Sequence, residues 1–263
     1  MATNKQTGKY FTVEVRPTVT ADLANSAAMV ADDVVFDWTA FKLRGGTNRL
    51  VGVTVVAPPT NAGAAQDCPI DLLFATQTQG NGGIAAGAVP QSIGTINSKA
   101  LPTANPYFND LIGAVKIDAT DCTDTEPRSV CVTGVAQGGM NPVLFEPYGS
   151  NEDDEGRHTY YVAAIASAVV DFRSGVLIAE ADFGDGEQTT ITVDTVDACK
   201  YFAPGDVIHA DGTSTDNAVL GTISSITNGT TIVLTAANTE AAAENDTVLN
   251  INPIILRFTF ERA

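Results

Sequence analysis

Apolar and polar residues alternate most regularly at the two ends of the chain. In residues 10–16 (YFTVEVR) the odd-numbered positions are apolar and most of the even-numbered ones are polar, and residues 254–261 (IILRFTFE) alternate in the same way. A period of two is typical of a strand with one buried face. The pattern therefore predicts two half-buried strands, the first ending at Pro17, and their matching composition predicts that both lie in one sheet.

Between these ends the pattern predicts further strands separated by turns rich in Gly and Pro. The predicted strands cover residues 34–43, 49–56, 70–75, 111–117 and 129–135, and residues 159–172 predict either two more strands or one long bent strand. The first two are joined by Gly45-Gly46, so we expect them to pair as a hairpin. The Ala-rich segment Asp22–Asp32 has near-helical spacing, and Asp22 is a candidate cap for a short helix.

Residues 194–248 read as short strands joined by turns. Pro204-Gly205-Asp206 predicts a turn before one strand, and Asn228-Gly229 predicts a tight hairpin because both residues tolerate positive φ. In the strand before that hairpin, strict alternation would put Leu220, Thr222, Ser224 and Ile226 on one face and Ile223 on the other.

These segments predict a mainly β protein with little helix. Because the last strand is expected to return to the first sheet, the small barrel would be an insertion. The predicted architecture is a β-sandwich (jelly-roll-like) formed by residues 1–182 plus 251–263, with a smaller β-barrel domain at 183–250.

Composition narrows the classes of function. The chain has 263 residues and a formal net charge of −17. Such a charge repels phosphates, so no nucleic acid partner is expected. Residues 160–170 form the longest apolar run, which is too short for the roughly 20 residues of a membrane span. Residues 1–15 lack the apolar segment of a secretion signal, so we expect synthesis in the cytoplasm and no membrane partner.

The four cysteines are Cys68, Cys122, Cys131 and Cys199. They form no C-x-x-C pair and do not have zinc-ligand spacing to either histidine. Cys122 and Cys131 flank an acidic loop and would be bridged if they lie on paired strands. The interpretation we favour is free thiols in a reducing cytosol.

Two acidic segments are candidates for cation binding. Asp182, Asp185 and Glu187 surround two glycines as in part of a calcium loop, but the full ligand pattern is not met, and a solvated turn fits better. Glu152, Asp153, Asp154 and Glu155 form the densest charge cluster, and runs of this kind are usually solvated. His158 follows that cluster, and we interpret it as an edge-strand residue.

Catalytic patterns are weaker still. His209 lies near Asp206 and Asp211, with Ser214, Ser224 and Ser225 in the same region, but no G-x-S-x-G elbow accompanies them. Gly80–Gly83 (GNGG) lacks the helix and the lysine of a phosphate-binding loop. We therefore expect no catalytic, cofactor or metal site, and a protein that is not an enzyme.

A family resemblance accompanies the barrel segment. The succession PGDVI, GTISSI, NGTTIVLT and DTV resembles the small β-barrel modules of capsid and head-decoration (cement) proteins of tailed bacteriophages, over about a quarter of the chain. Residues 71–80 (DLLFATQTQG), 91–100 (QSIGTINSKA) and 111–117 (LIGAVKI) are similar to segments of virion structural proteins of marine phages. The resemblance implies a structural role in a virion, at the capsid surface.

Two functional hypotheses follow. The first is a decoration protein that stabilises an assembled capsid, with the major capsid protein lattice as its partner and a homo-oligomer, such as a trimer, as its form. Its contacts are expected at residues 1–8 and in the loops 57–67 and 77–106. The alternative is a glycan-binding or adhesin-like β-module of a tail fibre or cell surface.

Overall fold

The protein is mainly β, as predicted. The computed structural model describes residues 9–19, 28–60, 63–78, 85–99, 110–125, 128–134, 144–146, 152–173, 175–194, 198–212 and 218–262. Strands account for 53% of the described residues and helices for 4%.

The strands are β1 (Tyr10–Val15), β2 (Val34–Arg44), β3 (Asn48–Ala57), β4 (Ile70–Ala75), β5 (Leu111–Ile117), β6 (Cys122–Asp124), β7 (Ser129–Gly134), β8 (Leu144–Phe145), β9 (Arg157–Ala166), β10 (Gly175–Leu177), β11 (Thr190–Thr192), β12 (Val207–Asp211), β13 (Ala218–Thr227), β14 (Thr231–Leu234), β15 (Thr247–Asn250) and β16 (Ile255–Arg262). A 3-10 turn covers Ala119–Asp121, and a single helical turn, α1, covers Ala198–Tyr201.

Two antiparallel sheets form the sandwich. One has the order β1-β16-β3-β7-β6, with β8 also paired to β3, and we call it the terminal sheet because it contains both end strands. The other has the order β2-β9-β4-β5. Their inner faces share one core, in which the ring of Phe41 lies 5.5 Å from that of Phe258 and 6.4 Å from that of Phe74. Aromatic pairs at these separations stabilise a core beyond the area they bury.

The two end strands pair directly, which confirms the prediction made from their matching pattern. β1 and β16 are antiparallel, with Tyr10 opposite Glu261 and Val15 opposite Leu256. The apolar residues of β1 are buried and its polar residues are exposed.

The predicted hairpin between residues 34–43 and 49–56 is wrong. Both strands exist and Gly46 has the positive φ of a turn, but β2 pairs with β9 while β3 pairs with β16 and β7. The connection therefore crosses from one sheet of the sandwich to the other. The predicted helix at 22–32 falls largely outside the described residues, and at its end Met29 forms a β-bridge with Val170.

The second unit is a six-stranded barrel with its own apolar core. Its order is β10-β15-β12-β13-β14-β11. It closes because the Ala179 amide donates to the Thr192 carbonyl at 2.9 Å and the Asp194 amide donates to the Leu177 carbonyl at 3.0 Å. β10 thus belongs to this barrel, but the predicted domain boundary at residue 183 excludes it. The limits of the two domains as independent units stay a prediction.

The predicted turn at Asn228-Gly229 is present, with φ of 54° and 72°, in a three-residue connection between β13 and β14. The strict alternation predicted for the preceding strand is wrong, since Leu220 and Ile223 are both buried. The register with β12 shifts at Leu220, since Ile208 lies opposite Gly221 and His209 lies opposite Val219, and such a bulge changes which side chains face the core.

The barrel is joined to the sandwich through the buried carboxylate of Asp206. Its Oδ1 lies 2.7 Å from Arg16 Nη1, and its Oδ2 lies 3.8 Å from Arg128 Nη2. The Asn250 side chain and the Ala203 amide also donate to Oδ2, at 2.7 and 2.8 Å. Burial raises the pKa of Asp206, while the Ala203 hydrogen bond and both arginines act in the opposite direction. Among the described residues, no other charged group between the two units makes as many hydrogen bonds and ion pairs as Asp206.

Candidate protein-binding surface

Carboxylates of both candidate cation sites form hydrogen bonds and ion pairs with other groups of the chain. Asp153 accepts hydrogen bonds from Lys42 and Arg157, which hold its pKa well below the ordinary value. Asp182 accepts from the Glu244 amide and Glu187 from the Gly184 amide, so both carboxylates cap backbone. Within the described ranges, no three His, Cys, Asp or Glu side chains converge in a way that would hold a metal ion.

The candidate histidines lie in strand interiors. His158 is in β9, between β2 and β4, and is only 6% exposed, so its interpretation as an edge-strand residue is wrong. His209 is fully buried in β12, where Val219 and Leu249 lie opposite it. Ser224 and Ser225 are exposed on β13, and the register does not bring them opposite His209. Ser214 and Gly80–Gly83 lie outside the described residues.

The cysteines correct the free-thiol interpretation for one pair. Cys122 and Cys131 are directly opposite on β6 and β7 and form a disulfide. Cys68 is a buried free thiol, and burial raises its pKa to about 12. Cys199 is free and exposed. The bridge fastens the short edge strand β6 to the terminal sheet.

The contact regions expected from sequence are described only in part. Residues 1–8, 79–84 and 100–106 lie outside the described residues. The loop 57–67 is fastened to the sandwich, because the Gln66 side chain donates to the Pro58 carbonyl at 3.1 Å and accepts from the Asp171 amide at 3.0 Å. An open groove beside this loop is lined in part by Asp67 and Val169.

The outer face of the terminal sheet, which we call the outer face, presents side chains in rows across the strands. These rows, read from the register, are Tyr10-Glu261-Arg49-Leu144, Thr12-Thr259-Gly52-Gly134 and Glu14-Arg257-Thr54-Val132. Thr and Gly fill the middle row, so the centre of the face carries only short side chains. A surface of this kind is flat and costs little side-chain entropy when it is covered.

One half of the outer face is apolar. Val132 on β7 is 57% exposed and Leu144 on β8 is 40% exposed. Thr54 and Arg49 of β3 are their cross-strand neighbours. Exposed apolar side chains that share one sheet face are candidates for contact with another protein. We call the part formed by β7 and β8 the apolar half.

The other half, formed by β1 and β16, is charged, and its carboxylates are each shared by two cations. Glu14 lies 3.1 Å from Arg16 Nε and 3.2 Å from Arg257 Nε. Glu261 lies 3.1 Å from Lys9 Nζ and also pairs with Arg49. We call this part the charged half.

The pKa values of the two glutamates reflect this arrangement. Burial raises the pKa of Glu14, but the hydrogen bonds from Arg16 and Arg257 outweigh it and leave the pKa below its ordinary value. Hydrogen bonds from Lys9 and Arg49 lower the pKa of Glu261. Both carboxylates therefore stay ionised at neutral pH. The Glu261 cluster carries one uncompensated positive charge, whereas in the Glu14 cluster Arg16 also pairs with Asp206, so the charges there are matched.

Sequence reasoning missed the outer face as a site. Its middle row joins residues 12, 259, 52 and 134, which are distant in sequence. The available signal was weaker: polar residues alternating with apolar ones in the two end strands already marked one solvent-facing side.

Among the described residues, none of the helices has the length and apolarity needed to cross a bilayer.

Comparisons with known proteins add little. No family model and no curated protein matches the sequence. Among solved structures, the chain has a weak similarity to one titled "Structure of infectious bursal disease virus Gx strain", with a TM-score of 0.15 and 9% identity, over 96% of this chain and 42% of that chain. The chain therefore spans less than half the length of the chain it matches. A TM-score this low supports no argument about fold or function.

Proposed function

We propose that the protein is a non-enzymatic virion structural component that decorates and stabilises the surface of an assembled capsid of a tailed bacteriophage. The observation that supports this function is the apolar half of the outer face, where Val132 stands exposed beside Thr54 and Leu144 stands exposed beside Arg49. Its partner in this role is the major capsid protein lattice.

The mechanism is mass action. A protein that binds the assembled lattice and not its separated subunits stabilises the lattice in proportion to the occupancy of its sites. Burial of the exposed apolar side chains supplies the favourable free energy of binding, since each square ångström of apolar surface removed from water contributes about 25 cal/mol. The net charge of −17 suits an outer surface, because a chain this acidic is repelled by the packaged genome.

Co-sedimentation of the purified protein with purified phage heads tests this proposal. The variant V132D/L144D puts two carboxylates on the apolar half and is expected to reduce binding by roughly tenfold or more, because each burial would strand a charge. The matched control V169D/L177D changes side chains of similar exposure, 63% and 38% against 57% and 40%, away from this face. It should bind like the unchanged protein.

Two results would contradict the proposal. One is equal binding by V132D/L144D and the unchanged protein. The other is a protein that ignores intact heads and binds a glycan array, which would favour the adhesin-like alternative. Within the described residues that alternative has little support from aromatic platforms, since the Trp38 ring nitrogen donates to the Gln91 carbonyl and Tyr10 is held by Glu261 and Lys9.

A further inference from the structure

Charge is distributed unevenly between the two units. The strands of the terminal sheet carry three basic residues (Arg49, Arg257, Arg262) and three acidic ones (Glu14, Asp124, Glu261), a balance of zero, and Lys9 and Arg16 flank β1. Residues 175–250 carry twelve acidic residues and the single basic residue Lys200, a balance of −11. A chain with a charge of −17 therefore has one sheet without an acidic excess.

The positive charge is concentrated on the charged half. Lys9 and Arg49 share the single carboxylate of Glu261, so this cluster carries one positive charge, whereas Arg16 and Arg257 are matched by Asp206 and Glu14. Lys9 and Arg257 remain accessible, at 68% and 47% of their side-chain surface. These two cations are placed to meet an additional negative group.

The negative charge is concentrated at one end of the barrel, where two loops lie side by side. Phe183 forms a β-bridge with Ala242, and the Asn238 side chain donates to the carbonyls of Gly184 and Glu240 at 2.8 and 2.7 Å. The exposed acidic residues on these loops are Asp182, Asp185, Glu187, Glu240 and Glu244. No Lys or Arg occurs in residues 178–188 or 235–246. We call this region the acidic end.

We propose that the charged half of one copy binds the acidic end of a second copy, so that the protein associates head to tail. The proposal uses a part of the outer face different from the apolar half, and it goes beyond the proposed capsid contact. Pairing two charged halves with each other would bring like charges together, which costs free energy, whereas the head-to-tail contact joins opposite charges. The second copy is thus an acidic partner that is present wherever the protein is.

A contact between two different surfaces repeats from copy to copy. If the rotation between copies closes, the result is a ring, and if it does not, the result is a filament. A closed ring would present several apolar halves to a capsid at once, so that modest contacts bind tightly together.

The test measures the mass of the full-length protein by light scattering after size-exclusion chromatography at low and high salt. The unchanged protein is expected to associate at about 20 mM salt and to dissociate as ionic strength rises to about 500 mM, because salt screens exposed charges. K9Q/R257Q removes one cation from each cluster and D185N/E240N removes two carboxylates from the acidic end. Each variant alone should associate at least roughly tenfold more weakly.

Mixing the two variants distinguishes the possible geometries. The mixture retains one intact contact, between the charged half of D185N/E240N and the acidic end of K9Q/R257Q, so it should form a one-to-one dimer. The control K99Q/K116Q also removes one cation from each of two exposed ion pairs, and E152Q/D154N removes two exposed carboxylates elsewhere. Both controls should associate like the unchanged protein.

The proposal is overturned if the unchanged protein is monomeric at low salt, if D185N/E240N alone associates normally, or if the mixture stays monomeric. A monomeric protein that still binds phage heads would reject head-to-tail association and leave the proposed function standing. Conversely, the uncharged variant V132S/L144S should keep its self-association, so a loss of capsid binding there is a failure of a different surface.

Discussion

The sandwich and the barrel bury their apolar residues in different ways. The centre of the sandwich is aromatic: Phe41 contacts the rings of Phe74, Phe145, Tyr160, Phe258 and Phe260. The barrel core is mostly aliphatic, with Phe183 and Phe202 among Val, Ile, Leu and Ala. The sandwich core therefore contains a cluster of aromatic rings among its aliphatic side chains, and the barrel core has no such cluster.

The two units also differ in how far apart in sequence their partners lie. The sandwich is completed only when β1 pairs with β16, which joins residue 10 to residue 261. The barrel strands all lie within residues 175–250. Local pairing requires less loop-closure entropy, so the barrel is the unit better suited to fold by itself. The following predictions test this difference, beginning with the largest expected effect.

A fragment of residues 175–250 should fold alone, whereas residues 183–250 should not. The shorter fragment lacks β10, together with the buried side chains of Val176 and Ile178 and the bridge between Ile178 and Val193. Thermal melts followed by circular dichroism should show a cooperative transition only for the longer fragment. An unfolded longer fragment would show that the barrel needs the sandwich.

The variant F41A should destabilise the sandwich by about 3–5 kcal/mol, since it leaves a cavity among packed rings. Trp38 is the single tryptophan of the chain and lies in β2, so its fluorescence during denaturant unfolding reports on the sandwich. The exposed control V169A should change the free energy of unfolding by less than about 0.5 kcal/mol. An equally small effect of F41A would reject the aromatic centre as the main support of the sandwich.

The variant D206A should destabilise the full chain by about 3 kcal/mol, because it leaves Arg128 largely buried without its carboxylate partner. D206N keeps the size of the side chain and one acceptor oxygen, so its loss should be smaller. Calorimetry of both variants measures the difference. If D206A matches the unchanged protein, the two units are held together by other contacts.

Removing the disulfide with C122S/C131S should cost about 2–3 kcal/mol, because the bridge closes a short loop in the unfolded chain. Reductant should lower the melting temperature of the unchanged protein by the same amount and leave the variant unaffected. The exposed control C199S should melt normally in both conditions. A thiol titration that finds four free cysteines in the native protein would contradict the bridge.

The sequence predicted strands better than it predicted their partners. Alternation identified both end strands and even their pairing, because the two matched in composition and length. The Gly45-Gly46 turn was equally visible, but a turn does not specify whether the next strand joins the same sheet or crosses to the opposite one. The bulge at Leu220 likewise depends on the partner strand β12, so strict alternation misassigned Leu220 and Ile223.

The outer face could not be predicted from the sequence for the same reason. Val132 and Leu144 lie on one surface only because both β7 and β8 pair with β3. The disulfide is an intermediate case. The sequence left both a bridge and free thiols possible, and a bridge required that Cys122 and Cys131 lie on paired strands. Register, which is a tertiary property, decided each of these points.

Hydroxyl-radical footprinting of the free and the head-bound protein tests the central claim, that the apolar half contacts a capsid. The method reads side-chain exposure directly, and Val132 and Leu144 can be compared with Val169 and Leu177, which are equally exposed in the free chain. Oxidation of Val132 and Leu144 is expected to fall on binding, while that of Val169 and Leu177 is expected to stay unchanged. Protection of Val169 and Leu177, with Val132 and Leu144 still oxidised at the free rate, would contradict it.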